Sequence, residues 1–311
     1  MPDILLWSLV LVAALAVLLK GADVFVDNAA LLARALGVPD FVVGVTLVAL
    51  GTSLPELAAS LVSVFTGAGE FVAGTVIGSN VANITLIMGA AALAFRGFSV
   101  SPKLMRMDLP IMLLAAFVIT LMAHSGAVSR GEGVILLLMY GLYLVHTVRE
   151  QRRSQPEARE GVFKASMVVW IAAGAVAVYF GADFTVKAVT RLTALLGLAD
   201  ASVLALTVVA VGSSLPELVV SLAAAKKNYN DLSVGNVVGS NICNSFLVMG
   251  APALVKPLPV SASVWGVGVP FMLAVSLVFL VFAQRGVIGR TPGLFLLLIF
   301  ALFIGTLGGV F

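Results

Sequence analysis

Six stretches of this chain run for 18 residues or more without an Asp, Glu, Lys or Arg: Phe71 to Phe95, Leu109 to Ser129, Ala165 to Ala182, Leu232 to Val255, Pro257 to Gln284 and Thr291 to Phe311. A helix needs roughly 17–25 mostly apolar residues to cross a bilayer. Shorter runs lie at Ile4 to Leu19 and Gly133 to Val148, and Phe41 to Gly69 and Ala201 to Ala225 are each interrupted by one glutamate. Composition agrees, with 61% hydrophobic and 11% charged residues against about 25% charged in a soluble domain. A soluble enzyme, a disordered chain and a coiled coil are excluded. The expected fold is an all-α polytopic membrane protein with ten transmembrane helices.

Ile4 to Leu19 is read as a span and not a cleaved signal, because Asp3 precedes it and no basic residue does. Ten spans place both termini on one side and the loop Arg149 to Lys164 on the other. Of the 18 Lys and Arg residues, 14 then fall on the side of that loop; Arg130, Lys187, Arg191 and Lys256 alone fall opposite. This positive-inside bias makes the loop cytoplasmic and both termini extracytoplasmic in a cell (inner) membrane. The excess of base therefore reflects topology and gives no reason to invoke a nucleic acid. A single cysteine, Cys243, excludes an intramolecular disulfide, and His124 and His146 share no metal-binding spacing.

The chain repeats itself. GTSLPELAASL at Gly51 to Leu61 returns as GSSLPELVVSL at Gly212 to Leu222, and the stretch from Gly74 to Leu93 returns at Gly235 to Leu254, both at an offset of 161. Gly21-Ala22-Asp23 returns as Gly181-Ala182-Asp183 at 160. Each copy is a five-helix unit (1–148 and 165–311, joined by 149–164), and an odd number of spans forces the two into opposite orientations. Inverted repeats with a midplane site are the architecture of many secondary transporters.

Glu56 and Glu217 each sit in an otherwise apolar span, where a carboxylate costs on the order of 3 kcal/mol or more. Their SLPE contexts also fit a capping box with proline in the first turn. Gly51 and Pro55, with Gly212 and Pro216, are expected to break the helices at the midplane and free carbonyls around Ala49 and Ala210. In the second motif Ser79 and Asn83 are four apart on one helix face, as are Ser240 and Asn244. Asn80 and Asn241 fit helix–helix hydrogen bonding at least as well as ligation. With the hydroxyls of Thr52, Ser53, Ser213 and Ser214, every candidate donor is oxygen, the set that hard cations take. Two glutamates neutralise one Ca²⁺, and the same oxygens accept Na⁺ or protons in its place. Mutual exclusion at one site is the physical basis of antiport.

The paired GTSLPE/GSSLPE and GSNVAN/GSNICN motifs resemble the alpha repeats of the Ca²⁺/cation antiporter superfamily, closest to prokaryotic sodium/calcium exchangers. The resemblance spans nearly the whole chain. It implies a site built from Glu56, Glu217, Thr52, Ser53, Ser79, Asn83, Ser213, Ser214, Ser240 and the carbonyls of Ala49 and Ala210, with first and sixth helices that slide across the bundle. Many sodium/calcium exchangers of the family have aspartate where this chain has Asn244, so two carboxylates stand here in place of three. Symmetric asparagines resemble proton/calcium members, whereas the SLPE wording resembles the sodium-coupled branch.

The expectation is a Ca²⁺/Na⁺ antiporter in a lipid bilayer, needing no cofactor and no obligatory protein partner, with H⁺/Ca²⁺ exchange as the alternative and a passive cation channel further off. An intramembrane hydrolase lacks any HExxH or Ser/His motif. Asp23 and Asp183 are expected at span ends, pairing with Lys20, Lys187 or Arg191 or guarding the entrance.

Overall fold

The computed structural model describes residues 2–38, 40–95, 97–153, 162–196 and 214–309. Among the described residues nine helices are long and apolar enough to cross a membrane. The expected span Ala201 to Ala225 is described only from Ser214 onward, where Leu215–Lys226 is helical.

Two helices form the centre. Glu70–Ala94 and Asn230–Val255, which carry the second repeated motif, are 78% and 83% buried over their most apolar windows, while the other seven reach only 17–39%. Those outer helices leave many leucines, valines and phenylalanines exposed.

The first helix, Pro2–Leu36, has 35 residues and so rises about 52 Å at 1.5 Å per residue. This exceeds a hydrocarbon core of about 30 Å, so the helix must lean or protrude. It lies along its repeat counterpart, Ala165–Leu196. Glycines permit the close crossing: a Cβ at Gly174 would come within 2.8 Å of the Phe25 backbone nitrogen, and one at Gly181 within 2.7 Å of Leu18 Cα. Such small residues let helix backbones approach where no hydrophobic effect drives association.

Four two-residue strands report the symmetry. β1 (Phe98–Ser99) pairs antiparallel with β4 (Val287–Ile288), and β2 (Ala127–Val128) pairs antiparallel with β3 (Leu258–Pro259). Adding 160 to β1 gives β3, and adding 160 to β2 gives β4, so the repeat operation turns one ribbon into the other. Each half thus lends a strand to the other at both ends of the bundle, as a two-fold relation between the halves requires.

The expected interruption near the first SLPE motif takes a milder form. Ala49–Phe65 is one α-helix with Pro55 inside it, and the irregularity is a π turn, Gly44–Val48, just before Ala49. A π turn widens the helix by one residue and re-aims the side chains that follow without exposing a bare end. Matched π turns stand at Asn83–Ile87 and Asn244–Val248, and at Leu104–Asp108 and Val264–Gly268. The capping-box expectation fails at Ser53, which lies within the helix; Ser214 does occupy the N-cap of Leu215–Lys226, but its hydroxyl makes no capping bond.

At the helix ends Asp183 pairs with Lys187 at 2.7 Å, as anticipated. Asp23 does not use Lys20, Lys187 or Arg191. Lys227, just beyond Leu215–Lys226, reaches across to Asp23 at 3.1 Å and Asp27 at 2.8 Å. The two aspartates are one helical turn apart and present one face to it.

Candidate functional site

Ala49–Phe65 and Leu215–Lys226 bring the two glutamates to the centre of the bundle, where Glu56 is 4% exposed and Glu217 fully buried. They act on each other electrostatically. All four of their carboxyl oxygens lack a hydrogen-bond partner. The Thr52 and Ser53 hydroxyls lie near enough to influence Glu217, yet neither bonds to it. Around the pair, Ser53 Oγ, Ser214 Oγ, Asn83 Oδ1 and both amide atoms of Asn244 are also buried and unpartnered.

An unpaired buried charge costs several kcal/mol, and each orphaned polar atom about 1–3 kcal/mol. A bound cation is one partner that could satisfy these buried, unpartnered oxygens. The donor set of carboxylates, amide oxygens and hydroxyls suits a hard cation. Among the described residues no group of three or more His, Cys, Asp or Glu side chains assembles that could hold a metal ion.

A hydrogen-bonded frame fixes the rest. Asn83 Nδ2 donates to Asn241 Oδ1 at 3.0 Å, Asn241 Nδ2 donates to the Asn80 carbonyl at 3.2 Å, and Asn80 Nδ2 donates to Ser245 Oγ at 2.8 Å. Asn80 and Asn241 are therefore the cross-helix ties between Glu70–Ala94 and Asn230–Val255. Their amides also approach sulfur atoms related by the repeat, Met272 and Met112. Asn83 has one amide atom committed to this frame and its oxygen free, whereas Asn244 has both atoms free.

The candidates fall unevenly. Thr52 sits 3.2 Å from the Ala49 carbonyl, to which it donates, 3.2 Å from Asn236 Oδ1 and 3.3 Å from Ser240 Oγ, which joins Thr52, Ala49 and Ser240 in one cluster. Ser79 is buried on the helix face that also carries Asn83. Ala210 and Ser213 lie outside the described residues. Asn236 was missed by the sequence reading: fully buried, it accepts from Thr52 and donates to Ser221 Oγ at 2.9 Å and to the Glu217 carbonyl at 3.4 Å. Its signal was an amide at membrane depth, concealed because the repeat places Thr75 opposite it. The proline at 55 also deprives the Gly51 carbonyl of its helical donor.

The two halves are not equally closed. A cavity of about 420 Å³ opens beside Gly74, Gly78, Ser79, Val264, Gly268 and Phe303. Gly74 and Gly78 are half-buried there, whereas their repeat positions, Gly235 and Gly239, are buried. A Cβ at Gly239 would fall 2.5 Å from the Val45 carbonyl oxygen, whereas one at Gly78 would meet nothing within 4 Å.

The family model described as "Sodium/calcium exchanger protein" matches residues 6–149 and 166–308. The chain is 33% identical to the "Sodium/calcium exchanger MaX1" of Methanosarcina acetivorans, covering 95% of this chain and 97% of that one. It is 31% identical to "Inner membrane protein YrbG" of Escherichia coli, covering 90% of each. A solved structure of the sodium-calcium exchanger NCX_Mj, soaked with 2.5 mM Na⁺ and 0.1 mM Ca²⁺, superposes with a TM-score of 0.85 at 31% identity, covering 97% of this chain and 98% of that one.

Proposed function

The chain belongs to the sodium/calcium exchanger protein family, within the Ca²⁺/cation antiporter superfamily, and we propose that it exchanges Ca²⁺ for Na⁺ at one central site. It is a multi-pass membrane antiporter and not an enzyme. Ca²⁺ and Na⁺ are its substrates.

The observation that carries the reading is the pair of buried glutamates with four unpartnered oxygens. Ca²⁺ binds between Glu56 and Glu217, whose two charges balance it, and takes further oxygens from Asn83, Asn244, Thr52, Ser53, Ser79, Ser214 and Ser240, with Ser213 and the Ala49 and Ala210 carbonyls completing the set. Sodium ions compete for the same oxygens, so each ion leaves as the other enters. Residues 1–148 and 165–311 act as one transport unit joined by 149–164, with that linker cytoplasmic and both termini extracytoplasmic. The cavity then lies on the extracytoplasmic side, and the unequal closure of the two halves is what alternating access would produce.

Proton/calcium exchange at the same glutamates is the second reading, favoured by one observation: asparagine stands at both 83 and 244, which leaves the site two acids. Radiolabelled Ca²⁺ uptake into vesicles separates them. Uptake driven by internal Na⁺ without a pH gradient is the expected outcome. Uptake driven by a pH gradient alone, with Na⁺ inert, would overturn the sodium reading, and uptake that needs neither would indicate a channel.

A further inference from the structure

Asn236 carries no charge and makes no hydrogen bond to either glutamate carboxylate, yet it is fully buried where three helices meet. From Asn230–Cys243 its Nδ2 donates to two groups on Leu215–Lys226, Ser221 Oγ at 2.9 Å and the Glu217 carbonyl at 3.4 Å. Its Oδ1 faces Thr52 of Ala49–Phe65 at 3.2 Å. Turning the amide over would set its oxygen against the Glu217 carbonyl oxygen, two acceptors with no proton between them, so the amide has one orientation.

Thr52 has one hydroxyl proton and three acceptors around it: the Ala49 carbonyl at 3.2 Å, Asn236 Oδ1 at 3.2 Å and Ser240 Oγ at 3.3 Å. A hydroxyl that ligates a cation turns a lone pair to it and must send its proton elsewhere. The Ala49 carbonyl and the Ser240 hydroxyl are themselves ligands in the reading above, so a proton aimed at either competes with the ion. The Asn236 oxygen is the one of the three that the ion does not use. It stands as near as the Ala49 carbonyl, so a rotation about the Thr52 Cβ–Oγ1 bond carries the proton from one to the other.

We propose that Asn236 is a positioning residue: it takes the Thr52 proton when a cation enters, and so frees the Ala49 carbonyl and the Thr52 and Ser240 oxygens to bind the ion together. The inference rests on the site reading above and deepens it. The repeat shows the same place without the amide. At an offset of 161, Thr75 stands opposite Asn236 and Ser60 opposite Ser221. Ser60 Oγ is buried without a hydrogen-bond partner, whereas Ser221 Oγ is held by Asn236. Thr75 is half-buried beside the 420 Å³ cavity. A threonine therefore fits the fold at this position but leaves the neighbouring serine unbonded, and only one half of the molecule has the amide.

The test reads ion affinity from thermal unfolding of the full chain in detergent, titrated with Ca²⁺ in Na⁺-free buffer and with Na⁺ in Ca²⁺-free buffer. Asn236→Leu removes the amide at similar size, and Asn236→Thr copies the residue of the other half, which carries the test if the leucine variant does not fold. Each is expected to weaken binding by about two- to tenfold, because the Thr52 proton must then leave a ligand oxygen at the cost of about one hydrogen bond. Thr52→Val removes the proton and its oxygen together and weakens binding as well. Asn236→Thr added to Thr52→Val is expected to weaken it no further, since the amide acts through that hydroxyl, whereas Thr52→Ser keeps the proton and the sensitivity to position 236. An asparagine that only holds the helices together would lower the ligand-free melting temperature and leave both affinities unchanged, or weaken them by the same factor with and without the Thr52 hydroxyl. Either result, with Thr52→Val still weakening binding, overturns the positioning role and leaves the site reading standing. Unchanged affinities in Thr52→Val overturn Thr52 as a ligand, and the inference with it.

Discussion

Glu217→Gln tests the site most directly, because the substitution keeps the side chain's size and removes only its charge. Glu217 is fully buried, both its oxygens are unpartnered, and it shares the site with Glu56. Removing one member of a buried, closely paired charge set costs about 3–5 kcal/mol of the interaction. At 1.4 kcal/mol per decade that weakens Ca²⁺ binding by about two to four orders of magnitude. Ligand-free protein should respond in the opposite direction, since the repulsion from Glu56 and one unpaired buried charge are gone. Two assays read the two signs. In a thermal-unfolding experiment in detergent, Ca²⁺ at about 100 times the wild-type Kd stabilises the wild type by about 2.7 kcal/mol. A variant that binds about 100-fold more weakly gains only about 0.4 kcal/mol at that concentration. In vesicles, Na⁺-driven Ca²⁺ uptake should be abolished. A variant that is less stable without Ca²⁺, yet keeps its Ca²⁺-induced stabilisation and its transport, would refute the claim that the two glutamates form one cation site.

Gly239→Ala places a methyl 2.5–2.6 Å from the Val45 backbone and should destabilise the protein by about 1–3 kcal/mol or prevent folding, read by expression and thermal unfolding. Its repeat partner Gly78→Ala meets nothing within 4 Å and should fall within about 0.5 kcal/mol of the parent. Lys227→Met removes a half-exposed ion-pair cluster with Asp23 and Asp27 and should cost about 0.2–1 kcal/mol, less at high salt. Partial burial pulls the Lys227 ammonium down, but hydrogen bonds and charge from Asp27 and Asp23 outweigh it and leave the group above its ordinary value. A group raised on folding stabilises fully below its unfolded pKa, so the difference in melting temperature between parent and variant should be flat through neutral pH and shrink only above about pH 10.

Residues that needed only local composition or duplication were legible. Glu56 and Glu217 declared themselves because a carboxylate in an apolar span is expensive wherever the span is placed. The two amide pairs were found because they return at a fixed offset. Asn80 and Asn241 were left open between ligand and tie, and only the packing of Glu70–Ala94 against Asn230–Val255 shows their cross-helix bonds. The helix break expected at Gly51 and Pro55 became a π turn at Gly44–Val48, because neighbouring helices accommodate an extra residue more readily than a bare helix end. Asp23 took Lys227, 204 positions away in sequence, over Lys20, Lys187 and Arg191, the partners that pattern suggested.

By itself the sequence determined the solvent, the number of spans expected, the duplication and the chemistry of the central oxygens. Each of these follows from the cost of placing a given residue type in hydrocarbon, a cost that depends on the residue more than on its neighbours. The tertiary structure alone decided what differs between the halves: which of the two central helices lines the cavity, and which asparagine is free. The repeat makes the two halves alike in sequence, but they meet in one bundle where one central helix lines the cavity at Gly74 and Gly78 and the other is buried at Gly235 and Gly239. Their differences arise from contacts between residues more than a hundred positions apart, such as Asn83 with Asn241 and Gly239 with Val45, and no local pattern carries that information.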